Sequence, residues 1–146
     1  MLERKFTSYL TKFLTEERNK ILLVNGARQI GKSYLIRYVG RKLFPHFVEI
    51  NLKEDVEGDK VFADVRTTDD LYMRLSNYCP TPLGDNTDTL VFLDEIQSYP
   101  HLMTMLKFLN QESRYRFIAS GSQLGVALAQ TPSVPLGSVT IEQMYP

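Results

Sequence analysis

The stretch VNGARQIGKSY, residues 24–34, has residue types and spacing suited to binding phosphate. It contains the pattern G-x-x-x-x-G-K-S, with Gly26, Gly31, Lys32 and Ser33 in the fixed positions. Glycines let such a loop curl so that its N–H groups point inward at phosphate oxygens. A lysine at the start of the following helix supplies a cation for the β and γ phosphates, and the serine hydroxyl binds Mg²⁺. The pattern predicts a nucleoside triphosphate site; the alternative is a plain glycine turn with an exposed lysine.

A second stretch, TLVFLDE at residues 89–95, supplies the acids that such a site requires. Asp94 lies at the carboxyl end of an apolar strand, where parallel α/β sheets hold their ligands. We expect Asp94 to bind Mg²⁺ through water. Glu95 follows directly, and a carboxylate there can orient and deprotonate a water for attack on the γ phosphate. Two acids that merely end a strand and cap the next helix are the alternative.

A third strand end, FIASGSQ, is expected at the same edge of the sheet. Ser120 or Ser122 could contact the γ phosphate or hold the attacking water, and an ordinary serine turn explains the pattern equally well. Gln97 fits a structural amide better than a catalytic one. Arg28, inside the glycine loop, is either over phosphate or solvated.

Further cations offer weaker signals. Arg114 and Arg116 flank a strand and could serve a neighbouring subunit as arginine fingers, although a solvated strand start fits them better. The others are expected on an exposed helix face: Arg37, Arg41 and Lys42.

The elements that must position these groups alternate along the chain. Short apolar runs predict strands at 21–25, 46–52, 89–95, 115–122 and 138–146. Helical spacing predicts helices at 2–19, 32–44 and 99–111, with two short helices within 59–78 and a loop at 79–88. Alternating strands and helices predict an α/β fold in three layers, with a mostly parallel sheet of about five strands and helices on both faces. Together with the glycine loop at 26–33, this pattern predicts a P-loop NTPase fold.

Composition and charge limit the classes of protein and of partner that are expected for this chain. The chain has 146 residues, about one domain, and 43% of them are hydrophobic. Lys plus Arg and Asp plus Glu both number 17, so the overall charge predicts no nucleic-acid binding, and such a partner stays undetermined. No apolar run approaches the roughly 20 residues needed to cross a bilayer, so no membrane partner is expected. The lone Cys79 fits a reducing cytoplasm.

Three motifs in this order, GARQIGKS, LVFLDEIQ and FIASGSQL, resemble predicted ATPases of the AAA superfamily found in bacteria and archaea. In that family an N-terminal ATPase domain precedes a C-terminal domain of unknown function. The resemblance covers nearly the whole chain and implies that 1–146 is an AAA-like ATPase domain, the N-terminal fragment of a longer protein. It implies a Walker B pair at Asp94 and Glu95, sensor 1 at Ser122, and ATP and Mg²⁺ as ligands. It also implies that the whole loop binds phosphate: Gly26, Ala27, Arg28, Gln29, Ile30, Gly31, Lys32 and Ser33.

Three functions remain open at this point. The first is ATP hydrolysis that drives or gates an attached effector region, with self-association as a further expectation. The second is a phosphotransferase, which the acid after Asp94 disfavours because an acceptor hydroxyl would replace the water. The third is a nucleotide switch without turnover. NLKED at 51–55 does not match the guanine motif N-K-x-D, so adenine is the expected base.

Overall fold

The computed structural model describes residues 2–27, 31–124 and 137–144. The strands are β1 Ile21–Asn25, β2 His46–Asn51, β3 Thr89–Asp94, β4 Arg116–Gly121 and β5 Val139–Gln143. The helices are α1 Leu2–Glu16, α2 Lys32–Leu43, α3 Leu52–Glu57, α4 Thr68–Tyr78 and α5 Pro100–Glu112, with a short 3₁₀ helix at Ile96–Ser98.

The described strands form one five-stranded sheet in the order β2-β3-β4-β1-β5. Every neighbouring pair is parallel. Parallel neighbours require crossover connections, and helices lie between the consecutive strands from β1 to β4. The predicted α/β fold is confirmed.

Two hydrophobic clusters cover the two faces of this sheet. Successive strand residues point to opposite faces, so an unbroken apolar run such as β1 or β3 is buried on both sides. On one face the strands pack against α4 and α5 through Ile21, Leu23, Val91 and Leu93. On the other face they pack against α1 and α2 through Leu22, Val24, Leu90 and Phe92. This is the three-layer arrangement expected from the sequence.

The segment 59–78 differs from its prediction. Only Thr68–Tyr78 is helical there, and the other short helix lies earlier, at Leu52–Glu57. Helix α3 begins directly after β2 because the Asn51 side chain accepts a hydrogen bond from Glu54 N at 3.0 Å and caps the helix there. After α3, the Asp55 carboxylate accepts from Val61 N and Phe62 N, so these N–H groups bond to a side chain instead of a helical carbonyl.

Several predicted ends also shift. Helix α1 ends at Glu16 instead of residue 19, and β3 ends at Asp94 because Glu95 has a left-handed backbone. The last strand covers Val139–Gln143, and residues 145–146 of the predicted span lie outside the described residues. The stretch 79–88 contains no helix or strand, as predicted.

Within the described ranges, no helix is both long enough and apolar enough to cross a membrane.

Candidate nucleotide-binding site

The site lies at the edge of the sheet where three neighbouring strands end. Residue Leu93 of β3 pairs with Ala119 of β4, which brings the next residues, Asp94 and Ser120, side by side. Asn25, at the end of β1, pairs with Gly121 on the other side of β4. The carboxyl ends of parallel strands are where open α/β sheets hold their ligands.

The glycine loop leaves β1 and enters α2 at this edge. Gly26 N donates to Gly121 O at 3.1 Å, so the start of the loop is fixed to β4. Ala27 is exposed. Gly31 precedes α2 with φ of 84°, a left-handed conformation that favours glycine, and its carbonyl accepts from Leu35 N at 3.0 Å. Arg28, Gln29 and Ile30 lie outside the described residues, so their predicted phosphate contacts stay predictions.

The side chain of Asp94 contacts residues of the other two predicted motifs. Its Oδ2 accepts from Ser33 Oγ at 2.8 Å, and its Oδ1 accepts from Ser120 Oγ at 2.6 Å. Glu95 N donates to the same Oδ1 at 2.9 Å. Asp94 is only 5% exposed, and buried carboxylates need such partners. The structure therefore brings together Ser33 and Asp94, the two residues predicted to hold a metal.

The donor set at this point fits Mg²⁺. A serine hydroxyl and a carboxylate are hard oxygen ligands, and Mg²⁺ is usually bound by one or two protein oxygens together with water and substrate phosphates. The 2.8 Å between Ser33 Oγ and Asp94 Oδ2 places both oxygens within reach of one ion.

Glu95 lies beside the predicted phosphate-binding lysine. Its backbone has φ 57° and ψ 48°, so the chain turns sharply after Asp94 and brings the carboxylate back toward α2. Glu95 Oε1 is 3.9 Å from Lys32 Nζ, with side chains only 8% and 4% exposed. Glu95 Oε2 accepts from Gln97 Nε2 at 3.0 Å. A carboxylate buried beside one cation and one amide donor is held in a defined orientation.

Ser122, the predicted sensor, follows the end of β4. Its Oγ is 3.5 Å from Gln97 Nε2, at the outer limit of a hydrogen bond. A cavity of ≈ 450 Å³ opens beside it, lined by Asn25, Gly26, Ala27, Ser122, Gln123 and Gln143. Ser122 and the start of the glycine loop therefore border the same space, whereas Ser120 is fully buried against Asp94.

Sequence reasoning gave little weight to Gln97 and passed over Asn25. Asn25 Oδ1 accepts from Leu124 N at 3.1 Å, and its Nδ2 donates to Gln143 Oε1 at 2.7 Å. This amide joins the end of β1 to the end of β5 and to the segment that follows β4. The sequence did indicate this residue, because Asn25 is the polar residue that ends the apolar run ILLVN directly before Gly26.

Two arginines, Arg116 and Arg37, lie where they were not expected, whereas Arg114 is exposed, as a solvated strand start predicts. Arg116 is 7% exposed, and its guanidinium donates to Leu14 O and Glu17 O, so a solvated role and an outward finger both conflict with this position. Burial lowers the pKa of Arg116 below its ordinary value. Arg114 lies over the rings of Tyr72 and Tyr115. Arg37 is a half-buried partner of Glu49 and not a free surface cation, and their hydrogen bonds raise its pKa.

The fold and this sheet edge together define the protein class. Known structures share the fold at low sequence identity. A Caenorhabditis elegans PCH-2 structure matches with a TM-score of 0.55 and 13% identity, over 97% of this chain and 42% of that one. A Saccharomyces cerevisiae Hsp104–ADP complex matches with a TM-score of 0.60 and 12% identity, over 97% of this chain and 22% of that one. These matches show a P-loop NTPase fold. This chain spans less than half the length of either similar chain.

The family is shown by the sequence itself. The family described as AAA domain matches residues 18–146, which is most of the chain. A search of curated proteins found no significant match. The chain therefore belongs to the AAA domain family.

Proposed function

We propose that this chain binds ATP and hydrolyses it in the presence of Mg²⁺, and that turnover drives or gates an attached effector region. The observation that carries the proposal is the hydrogen bond from Ser33 Oγ to Asp94 Oδ2, with Glu95 next in the chain and beside Lys32. Side chains from the start of α2 and from the end of β3 thus lie together at one edge of the sheet. A glycine turn with a purely structural role would not require these side chains to lie together.

The binding roles follow from charge and position. Residues 26–33 would surround the phosphates with backbone N–H groups, and Lys32 at the start of α2 would contact the β and γ phosphates. Ser33 and Asp94 would hold Mg²⁺, which neutralises developing negative charge on the phosphates when bound. The Hsp104 structure is an ADP complex, which supports an adenine nucleotide as the ligand here.

The hydrolytic roles belong to two further side chains. Glu95 would take a proton from the water that attacks the γ phosphate, and the products would be ADP and inorganic phosphate. Ser122, bordering the cavity at the start of the loop, would contact the γ phosphate or that water as sensor 1. We also propose that residues 1–146 are the ATPase domain of a longer protein.

The test is phosphate release from ATP with Mg²⁺, measured for the chain, Glu95→Gln and Lys32→Ala. We expect Glu95→Gln to bind ATP and lose about 100-fold or more of its turnover, and Lys32→Ala to lose ATP binding. Glu49→Gln is the matched control, because it makes the same change in a glutamate paired with Arg37 and should keep turnover. Phosphate release that persists in Glu95→Gln would refute the hydrolytic role of Glu95. ATP binding without phosphate release by the unsubstituted chain would favour a switch.

A further inference from the structure

Gln97 lies between the proposed general base and the proposed sensor. It belongs to the 3₁₀ helix that begins right after Glu95. Its Nε2 donates to Glu95 Oε2 at 3.0 Å and lies 3.5 Å from Ser122 Oγ. One amide nitrogen therefore connects the carboxylate after β3 with the hydroxyl after β4.

The orientation of this amide is determined by Glu95. A carboxylate only accepts hydrogen bonds, so the NH₂ end of Gln97 must face it and Oε1 must point away. Among the described residues, Gln97 Oε1 is the one buried side-chain polar atom without a hydrogen-bond partner. An unsatisfied buried acceptor is unfavourable, and the amide carries this cost in the orientation that lets Nε2 donate to Glu95.

The backbone around Gln97 supports the same contact. The left-handed conformation of Glu95 is uncommon for a residue with a side chain, and it brings residues 95 and 97 to the same side of the turn. At the end of β4, a Cβ on Gly121 would overlap Gln97 Oε1, so the glycine leaves the space that the amide occupies. Both neighbouring strand ends therefore accommodate Gln97.

The two oxygens of Glu95 face different partners, and this difference suggests a sequence of events. Oε1 faces Lys32 at 3.9 Å, whereas Oε2 accepts from Gln97 at 3.0 Å. When Lys32 turns to the phosphates of ATP, its contact with Oε1 weakens. The Gln97 contact involves no phosphate-binding group and can persist, so Oε2 stays held while Lys32 contacts the phosphates.

We propose that Gln97 is a positioning residue for hydrolysis, which holds the Glu95 carboxylate in its productive orientation after Lys32 has moved to the phosphates. The inference rests on the proposed function. It assigns Gln97 no contact with ATP, so its removal should act on the rate of the bound complex and leave the affinity for ATP in place.

The test is Gln97→Met, which keeps the length of the side chain and removes the amide donor. We expect kcat for phosphate release to fall roughly 10- to 100-fold, as for a displaced catalytic group, with KM and the affinity for a non-hydrolysable ATP analogue within about twofold. Gln111→Met is the matched control, because Gln111 is exposed on α5 and its replacement should leave kcat unchanged. Gln97→Asn keeps the amide with a shorter reach and should fall between Gln97→Met and the unsubstituted chain.

The outcomes separate this inference from the proposed function. An unchanged kcat in Gln97→Met, with turnover lost in Glu95→Gln, overturns the positioning role alone. A Gln97→Met variant that loses analogue affinity in proportion to kcat overturns it also, since the role would then be structural. In the Glu95→Gln background, Gln97→Met should cause no further loss, and an additional loss of equal size contradicts action through Glu95. Turnover that survives Glu95→Gln overturns the proposed function and the inference together.

Discussion

The contact between Lys32 and Glu95 predicts that the proposed general base competes with ATP for the lysine. Lys32 Nζ lies 3.9 Å from Glu95 Oε1, and both side chains are more than nine-tenths buried. A lysine that contacts phosphate must give up part of this interaction. Glu95→Gln removes the competing charge and keeps the shape and an amide in its place, so we expect it to bind ATP more tightly than the unsubstituted chain.

The magnitude follows from the distance and the burial. At 3.9 Å and an effective dielectric constant of about 20, Coulomb attraction between unit charges is about 4 kcal/mol. Desolvation of two buried charges offsets most of that gain. A net coupling of about 1–2 kcal/mol remains, which corresponds to roughly 5- to 30-fold tighter binding when the competition is removed.

The assay is isothermal titration calorimetry with a non-hydrolysable ATP analogue and Mg²⁺, so that turnover does not disturb the equilibrium. Glu49→Gln removes one negative charge from a residue that pairs with Arg37 instead of Lys32, and it controls for the general change in field. Only Glu95→Gln should show the gain. Equal gains in both variants would mean that the local field, and not the Lys32 contact, sets the affinity. An unchanged or weaker affinity in Glu95→Gln would refute the competition.

Two more predictions concern Asp94 and the loop after α3. Ser120→Ala should raise the Mg²⁺ concentration that half-saturates turnover by roughly 10-fold, because Ser120 Oγ donates to Asp94 Oδ1 at 2.6 Å and such outer partners tune a metal ligand. A Mg²⁺ titration at fixed ATP measures this, and an unchanged midpoint contradicts it. Burial and the hydrogen bond to Asp55 raise the pKa of Tyr99 from 10.0 to about 12. Because the folded state holds that proton more tightly, this contribution to stability should be full below about pH 10 and be lost as pH rises to about 12. Urea unfolding at intervals across that range should show a downward slope that Tyr99→Phe reduces; equal slopes would refute it.

Much of the fold could be predicted because its strands carry local signals. The runs ILLVN and TLVFLD have no polar alternation, which indicates burial on both faces, and β1 and β3 are buried on both faces. The positions of Lys32, Ser33 and Asp94 follow from the same signals, since each residue lies directly after or within a recognisable strand, turn or helix start. Their roles in binding and catalysis remain proposals.

The features that were predicted wrongly depend on contacts between residues distant in sequence, or on side chains that take the place of backbone hydrogen-bond partners. The segment after α3 has apolar residues at spacings that fit a helix, yet Asp55 takes the N–H groups of Val61 and Phe62. Arg116 has the composition of a surface cation, yet the carbonyls of Leu14 and Glu17 lie opposite its guanidinium. A single sequence does not show that the end of α1 will lie there.

The choice between Ser120 and Ser122 shows how strand register adds what the sequence lacks. Two residues apart on a strand, both hydroxyls would point to the same face, so sequence alone treats them alike. The pairing of Leu93 with Ala119 places Ser120 on Asp94, and the strand then ends at Gly121. Ser122, one residue beyond it, borders the loop cavity and reaches Gln97 instead. The two adjacent acids are thus each connected to β4, Asp94 directly and Glu95 through an amide. A shift of β4 relative to β3 would therefore disturb the proposed metal ligand and the proposed base together, so the register of β4 affects both acids of this site.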